Sequence, residues 1–231
     1  MRMKSDENME KTRVIKWGIF GVAVVAIIVL LFVYVKVPPV AQVTDWEIKA
    51  DGTVAYLYFD YESKDMLKAE LVDPEGHITG TTMISPMGVR AKLPACADRE
   101  SVKPGQYTLR FLDPFGNVVY QKEIEIYGPS VEVNNVKIRY YGSQSSNYID
   151  NITIEFENTG DSPLYIHKII GKINGEEQLN AYVSRYVNCG ISTLSMNVYS
   201  NPIPSGTHDL VLEFIDENDS VILTKTVQIY V

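Results

Sequence analysis

Cysteine and tryptophan are scarce in this chain, two residues each in 231, and histidine is nearly as rare at three. Two cysteines cannot staple a small disulfide-dense scaffold. His77, His167 and His208 stand far apart, with no His-Glu-x-x-His pattern, no His/Cys pair at ligand spacing, no Gly-x-Ser-x-Gly elbow and no phosphate-cradling glycine loop. No catalytic residue, metal or cofactor is therefore expected, and the chain does not read as an enzyme. Positive charge is lacking too, since 21 Lys and Arg face 29 Asp and Glu for a net charge of −8. The deficit is uneven: through Lys36 there are six basic and three acidic residues, which leaves 15 basic and 26 acidic in the rest. A nucleic-acid binder must neutralise phosphates with clustered Lys and Arg, so DNA and RNA are excluded as expected partners.

One long apolar run is present. Residues 17 to 35, WGIFGVAVVAIIVLLFVYV, carry no charge, and thirteen of the nineteen are Val, Ile, Leu or Phe. At about 1.5 Å per residue a helix of this length spans roughly 28 Å, the thickness of a bilayer's hydrocarbon core. Trp17 and Tyr34 fall at its ends, where aromatic rings favour the headgroup layer, and Pro38-Pro39 prevents the helix from continuing. The expectation is a transmembrane helix over residues 17 to 36 that contacts the lipid bilayer through residues 17 to 35. Five basic residues precede the apolar run within sixteen positions, whereas Lys36 stands alone directly after it before a long polar domain, which places residues 1 to 16 in the cytoplasm as a basic tail. The exit, Val37-Pro38-Pro39-Val40-Ala41, lacks a small-x-small cleavage site, so an uncleaved signal anchor at the cell membrane is expected, with residues 37 to 231 extracytoplasmic. An alternative is a pilin-like filament subunit. Lys16-Trp17-Gly18 resembles the processing site of archaeal type IV pilin-like proteins, although Trp17 stands where a basic residue is usual.

Beyond the prolines the pattern changes to alternation with period two. Ala55, Leu57 and Phe59 alternate with Tyr56 and Tyr58; Ile152, Ile154 and Phe156 with Thr153 and Glu155; Leu210, Leu212 and Phe214 with Val211 and Glu213. Asp51-Gly52, Asp73-Pro74-Glu75-Gly76, Asp113-Pro114-Phe115-Gly116-Asn117 and Asn174-Gly175 mark tight turns between such strands. The chain also repeats. Phe111-Leu112-Asp113 with VVYQKEIEIY (118 to 127) aligns at a constant offset of 103 with Phe214-Ile215-Asp216 and VILTKTVQIY (221 to 230). Gly105 and Gly206 stand in similar places before the penultimate strands, and Gly128-Pro129-Ser130 separates the copies. The fold class is all-β: two tandem immunoglobulin-like sandwiches, residues 37 to 128 and 129 to 231, behind one N-terminal transmembrane helix.

Residues 152 to 176, ITIEFENTGDSPLYIHKIIGKINGE, resemble the strand, Asn-Thr-Gly turn, strand pattern of adhesion-type Ig-like domains in membrane-anchored archaeal and bacterial surface proteins. The resemblance covers about a quarter of the chain. It implies an extracytoplasmic protein that works by interaction at the cell envelope and implies no catalytic residue.

Several residues stand out as sites. Cys96 and Cys189 fall one in each repeat, so a disulfide between them would lock the interdomain angle, with two free thiols as the other reading. Asn151-Ile152-Thr153 and Asn218-Asp219-Ser220 match the N-glycosylation pattern; Asn218 lies in a turn and is the better acceptor. Asp216-Glu217-Asn218-Asp219 gathers oxygen ligands suited to Ca²⁺, but its counterpart from Asp113 is a plain hairpin, which favours a turn. Tyrosine is in excess, 15 against 7 Phe. Tyr56 and Tyr58 occupy successive outward positions where the second repeat has Thr153 and Glu155, with Tyr107 and Tyr120 as expected neighbours. Tyr140-Tyr141 and the group Tyr182, Arg185 and Tyr186 add to these. Tyr and Arg anchor protein interfaces and Tyr stacks on sugars, so Tyr56, Tyr58, Tyr182, Arg185 and Tyr186 are the candidate partner-binding residues. A protein partner in the envelope is expected, a carbohydrate-binding ectodomain is the alternative, and strand propensity alone is the competing explanation of the tyrosines.

Overall fold

The computed structural model describes residues 41 to 143 and 146 to 231. The expected cytoplasmic tail and spanning helix lie outside the described residues, and among the described residues no helix is long and apolar enough to cross a membrane. Seven strands come first: β1 (Ala41–Asp51), β2 (Val54–Ser63), β3 (Leu67–Val72), β4 (Ile78–Ile84), β5 (Arg90–Pro94), β6 (Gly105–Leu112) and β7 (Val118–Ile126). They form two antiparallel sheets with orders β1-β2-β5 and β4-β3-β6-β7. Seven more follow: β8 (Val131–Ser143), β9 (Ser146–Asn158), β10 (Leu164–Ile173), β11 (Glu176–Val187), β12 (Gly190–Asn197), β13 (Thr207–Ile215) and β14 (Val221–Tyr230). Their sheets, β12-β9-β8 and β11-β10-β13-β14, repeat the first arrangement strand for strand.

The 103-residue offset is kept in the pairing itself. Tyr107 opposes Ile124 in β6 and β7, and Leu210 opposes Val227 in β13 and β14. A register shift falls at the same step in both, between Phe111 and Leu112 and between Phe214 and Ile215. Gly105 and Gly206 both adopt φ +137°, a region closed to side chains, which accounts for glycine ahead of each of these strands.

Each sheet pair encloses its own core, because alternation buries one face of every strand. In the first, Leu57 and Phe59 of β2 meet Leu109 and Phe111 of β6, with the Phe59 and Phe111 rings 5.9 Å apart. In the second, Ile154 and Phe156 of β9 meet Leu212 and Phe214 of β13, with the Phe156 and Phe214 rings 5.4 Å apart in an edge-to-face arrangement. Burying one such ring contributes about 1.5–3 kcal/mol. The rings of both layers are fully buried.

One carboxylate closes each of three hairpins. Asp73 Oδ1 accepts the backbone N–H groups of Glu75 and His77, Asp113 Oδ1 those of Phe115 and Asn117, and Asp216 Oδ1 those of Asn218 and Ser220. This explains the aspartate that opens each turn: it satisfies donors that a tight hairpin leaves without a strand partner.

Polar contacts join the two sandwiches. Tyr186 Oη donates to the Glu100 carbonyl at 2.7 Å, and Tyr165 N–H donates to Ser101 Oγ at 2.9 Å. Ala50 N–H reaches Asn188 Oδ1 at 3.1 Å, and the Asp161 carboxylate accepts the N–H groups of Tyr127 and Gly128. The Tyr165 and Tyr186 rings pack 5.0 Å apart beneath these bonds.

Candidate functional site

The outer face of β1-β2-β5 carries the tyrosine ladder. Successive residues of β2 point to opposite sides, so burying Ala55, Leu57 and Phe59 turns Tyr56 and Tyr58 outward. Their rings stand 6.3 Å apart, edge to face. In the pairing register Tyr58 lies between Glu47 of β1 and Lys92 of β5, and Tyr56 lies between Lys49 and Pro94. Lys92 Nζ sits 4.3 Å from the centre of the Tyr56 ring, and Arg90 Cζ sits 5.4 Å from that of Tyr58.

Acidic groups hold these cations in place. Lys92 Nζ donates to Asp51 Oδ2 at 2.6 Å, and Arg90 donates to Glu47. The Lys92 ammonium holds the Asp51 carboxyl below its usual range, and the same bond raises Lys92. Glu47 is lowered first by its bond from Lys49 and then by Arg90, against the opposing effect of burial. The result is a surface of two aromatic rings framed by charges of both signs. The corresponding face of β8-β9-β12 is different: Thr153 Oγ1 lies 3.0 Å from Ser195 Oγ, and Asn151 and Asn197 share an amide hydrogen bond. The scaffold is common to the two faces and the aromatic–cation layer belongs to the first.

Two tyrosines expected beside this ladder are elsewhere. Tyr107 is 1% exposed in the first core, in phase with Leu109 and Phe111, and burial pushes its phenol up to about 12. Tyr120 packs on Phe111 at 5.1 Å, and its hydroxyl accepts Val43 N–H. Neither extends the ladder.

The group Tyr182, Arg185 and Tyr186 is divided by a bulge in β11, where Ser184 adopts φ +48° and the register with β10 shifts. Tyr182 and Arg185 are exposed, with the Tyr182 ring against His167 at 5.3 Å. Tyr186 is part of the junction instead. Its hydroxyl donates to Glu100 and Thr53 carbonyls, and burial, followed by the neighbouring Cys96, raises its pKa well above normal. Cys96 and Cys189 are both free thiols. Cys96 Sγ touches Tyr186 Oη at 3.8 Å, and Cys189 is exposed beside Trp46, Gly160 and Asp161. Asn218 stands in an exposed turn, whereas Asn151 is half-buried in β9 with its side chain bonded to Asn197 and Thr153.

Among the described residues, Asp73, Glu75 and His77 place three potential metal-ligand atoms within 4.8 Å of one another. Protein partners already engage them: Asp73 caps its hairpin and Glu75 accepts Lys103 Nζ at 2.7 Å. The acidic turn after Asp216 is similarly spent, with Asp219 bonded to Lys168 and Glu217 2.8 Å from His167.

A second aromatic feature escaped the sequence reading. Tyr141, Tyr148 and Tyr199 line a cleft of about 300 Å³ with Ile149, Asp150 and Ser200, at the β8–β9 hairpin end of the second sandwich. Tyr140-Tyr141 was a partial signal. Tyr199 lies between strands, where no periodicity points to it.

No family model matches the chain, and no curated protein does. Among solved structures it is similar to the BSP domain of a biofilm associated protein, with 16% identity, 87% of this chain and 31% of that one covered, and a TM-score of 0.31. It thus spans about a third of that chain. It is also similar to a two-domain fibronectin type-III segment of chicken tenascin, with 10% identity, coverage of 82% and 99%, and a TM-score of 0.34. The fibronectin(III)-like modules of Clostridium thermocellum CbhA give 15% identity, coverage of 83% and 93%, and a TM-score of 0.27.

Proposed function

We propose that the chain is a membrane-tethered, extracytoplasmic interaction module that presents two joined β-sandwiches to a protein partner at the cell envelope. The tether is the uncharged run at residues 17 to 35 with its basic flank. The observation that carries the interaction reading is the Tyr56 and Tyr58 ladder with Lys92 and Arg90 on its faces, set against the hydroxyl and amide surface of the second sandwich. Aromatic and Arg side chains held rigid before binding lose little entropy on association and supply most interface energy. The test is Tyr56→Ala with Tyr58→Ala in the intact membrane chain. Binding to the partner that co-purifies with the wild type should weaken by about 2 kcal/mol or more while the thermal midpoint barely moves. A lower midpoint with unchanged binding would assign the face to folding.

The Tyr141, Tyr148 and Tyr199 cleft supports a second reading, a carbohydrate site, because its volume suits one sugar ring and its walls are tyrosine faces with Asp150 and Ser200 beside them. A glycan array that loses its signal on Tyr199→Ala would support it, and an array blank with the wild type would remove it.

A further inference from the structure

The pairing register fixes which loops share an end of the first sandwich. Ala41 opposes Ser63, Leu67 opposes Ile84 and Lys68 opposes Leu112. The β2–β3 turn, the β4–β5 loop and the β6–β7 hairpin therefore lie at the end where β1 begins. Tyr61 N–H donating to the Val89 carbonyl at 2.9 Å ties the β4–β5 loop down there.

Each of these three connections exposes apolar side chains. Met87 is 94% exposed and Phe115 90%, and Met66, Val89 and Val118 are exposed around them. Met87 and Phe115 are the middle residues of Pro86-Met87-Gly88 and Pro114-Phe115-Gly116, turn positions that polar residues ordinarily fill. The opposite end of the same sandwich exposes mainly polar and charged side chains, Asp51, Glu75, His77, Asp98 and Arg99, with Ile78 and Tyr127 as its exposed large apolar residues. The repeat sharpens the contrast, because at the constant offset the second sandwich carries Asn218 where the first carries Phe115. Apolar loop tips at one end of an acidic body mark a surface that meets something apolar.

The sequence indicates what that is. Only Lys36-Val37-Pro38-Pro39-Val40 separates the apolar run from Ala41. Five fully extended residues reach at most about 18 Å. The headgroup layer on one side of a bilayer is itself roughly 5–7 Å thick, so a chain anchored by residues 17 to 35 holds this end at the lipid surface.

We propose that the Ala41 end of the first sandwich rests on the bilayer, with Met87 and Phe115 inserted in the headgroup layer. This rests on the membrane tether proposed above. Lys64 and Asp65 are neighbours in the β2–β3 turn, so the end has no strong charge of one sign, and apolar burial rather than anionic lipid drives the contact. Docking of this kind sets the height and tilt at which the tyrosine face is presented.

The test uses the full chain in phosphatidylcholine nanodiscs. With Cys96→Ser and Cys189→Ser as background, a nitroxide is attached through one cysteine at a time, introduced as Ala26→Cys, Met87→Cys, Phe115→Cys or Asn218→Cys. Spin-label accessibility to oxygen and to a water-soluble nickel chelate reports depth. Labels at 26, 87 and 115 should favour oxygen, and the label at 218 should favour nickel. If 26 reads as lipid while 87 and 115 match 218, the docking is overturned and the tether stands. If 26, 87 and 115 all match 218, both are overturned, and if only 26 does, the docking stands without the tether. Amide exchange on the unlabelled chain is the check on label artefacts: segments 85–89 and 113–117 should exchange more slowly than 216–220, and equal rates would overturn the docking.

Discussion

Arg110 and Glu213 occupy the same station in the two sandwiches and carry opposite charges. Arg110 of β6 donates to Glu70 Oε2 on β3 at 2.9 Å, and Glu213 of β13 accepts from Lys172 on β10 at 2.8 Å. The repeat has kept a cross-strand ion pair between the same two strands and reversed its polarity. The environments differ. Glu70 is 4% exposed and also takes Lys68 at 2.7 Å, whereas Lys172 and Glu213 are partly solvated.

Arg110→Met should therefore destabilise the chain by about 1–2 kcal/mol, below the roughly 3–5 kcal/mol for breaking a fully buried pair, because Arg110 is partly solvated and Lys68 remains. Lys172→Met should cost about 0–1 kcal/mol, because both ends of that pair keep contact with water. Urea unfolding of the two variants checks the order. Equal losses would mean that the burial of Glu70 does not matter.

The hairpin aspartates give a second prediction. Asp113→Ala leaves the backbone N–H groups of Phe115 and Asn117 without their acceptor and should lower the thermal midpoint. Asp113→Asn should cost less, since an amide oxygen still accepts. Thermal melts of the three proteins read the difference, and an Asp113→Ala midpoint equal to the wild type would remove the capping role.

Acid should weaken the fold through these same carboxylates. Asp113 is lowered by the Asn117 amide and then by backbone N–H groups; burial pushes Asp73 up, and the backbone N–H groups of His77 and Glu75 outweigh it to leave the carboxyl lowered; Glu70 is lowered by Lys68 and then Arg110 against burial. Their folded pKa values lie below the unfolded values of about 3.9 for Asp and 4.3 for Glu. The stabilisation is thus complete above about pH 5 and is lost as pH falls through the folded values. Chemical denaturation from pH 6 to pH 2 should show this decline, with a shallower slope for Glu70→Gln. A flat profile would contradict the assignment.

The junction supplies another prediction. Tyr186→Phe keeps the ring stacked on Tyr165 but removes the hydroxyl that reaches the Glu100 and Thr53 carbonyls. It should cost about 1 kcal/mol and broaden the distribution of interdomain angles seen by small-angle scattering. Gly160→Ala should disturb the junction more, because a methyl group there would collide with the backbone of Gly128 and Ser130. Unchanged scattering from both variants would show that the angle is fixed elsewhere.

Much of this architecture was legible because it depends on local chemistry. Alternation at Ala55, Leu57 and Phe59 gave the buried face of β2, and so placed Tyr56 and Tyr58 outside. The shared Asp113 and Asp216 gave the repeat, since both close their hairpins by the same hydrogen bonds. Tyr107 could have been placed from its phase with Leu109 and Phe111. Tyr186 could not, because the bulge at Ser184 reverses the phase of β11 and its partners come from residues 53 and 100, far away in sequence. Tyr199 and the stacking of Lys92 and Arg90 on the ladder depend on tertiary register, which no local pattern encodes.

The most direct test of the account is the topology of the chain in intact cells. External protease should digest residues 37 to 231 and leave a membrane-held stub whose mass includes an unprocessed amino terminus at Met1. Full protection of the β-sandwiches, or a stub that begins after Gly18, would contradict the tethered, extracytoplasmic module.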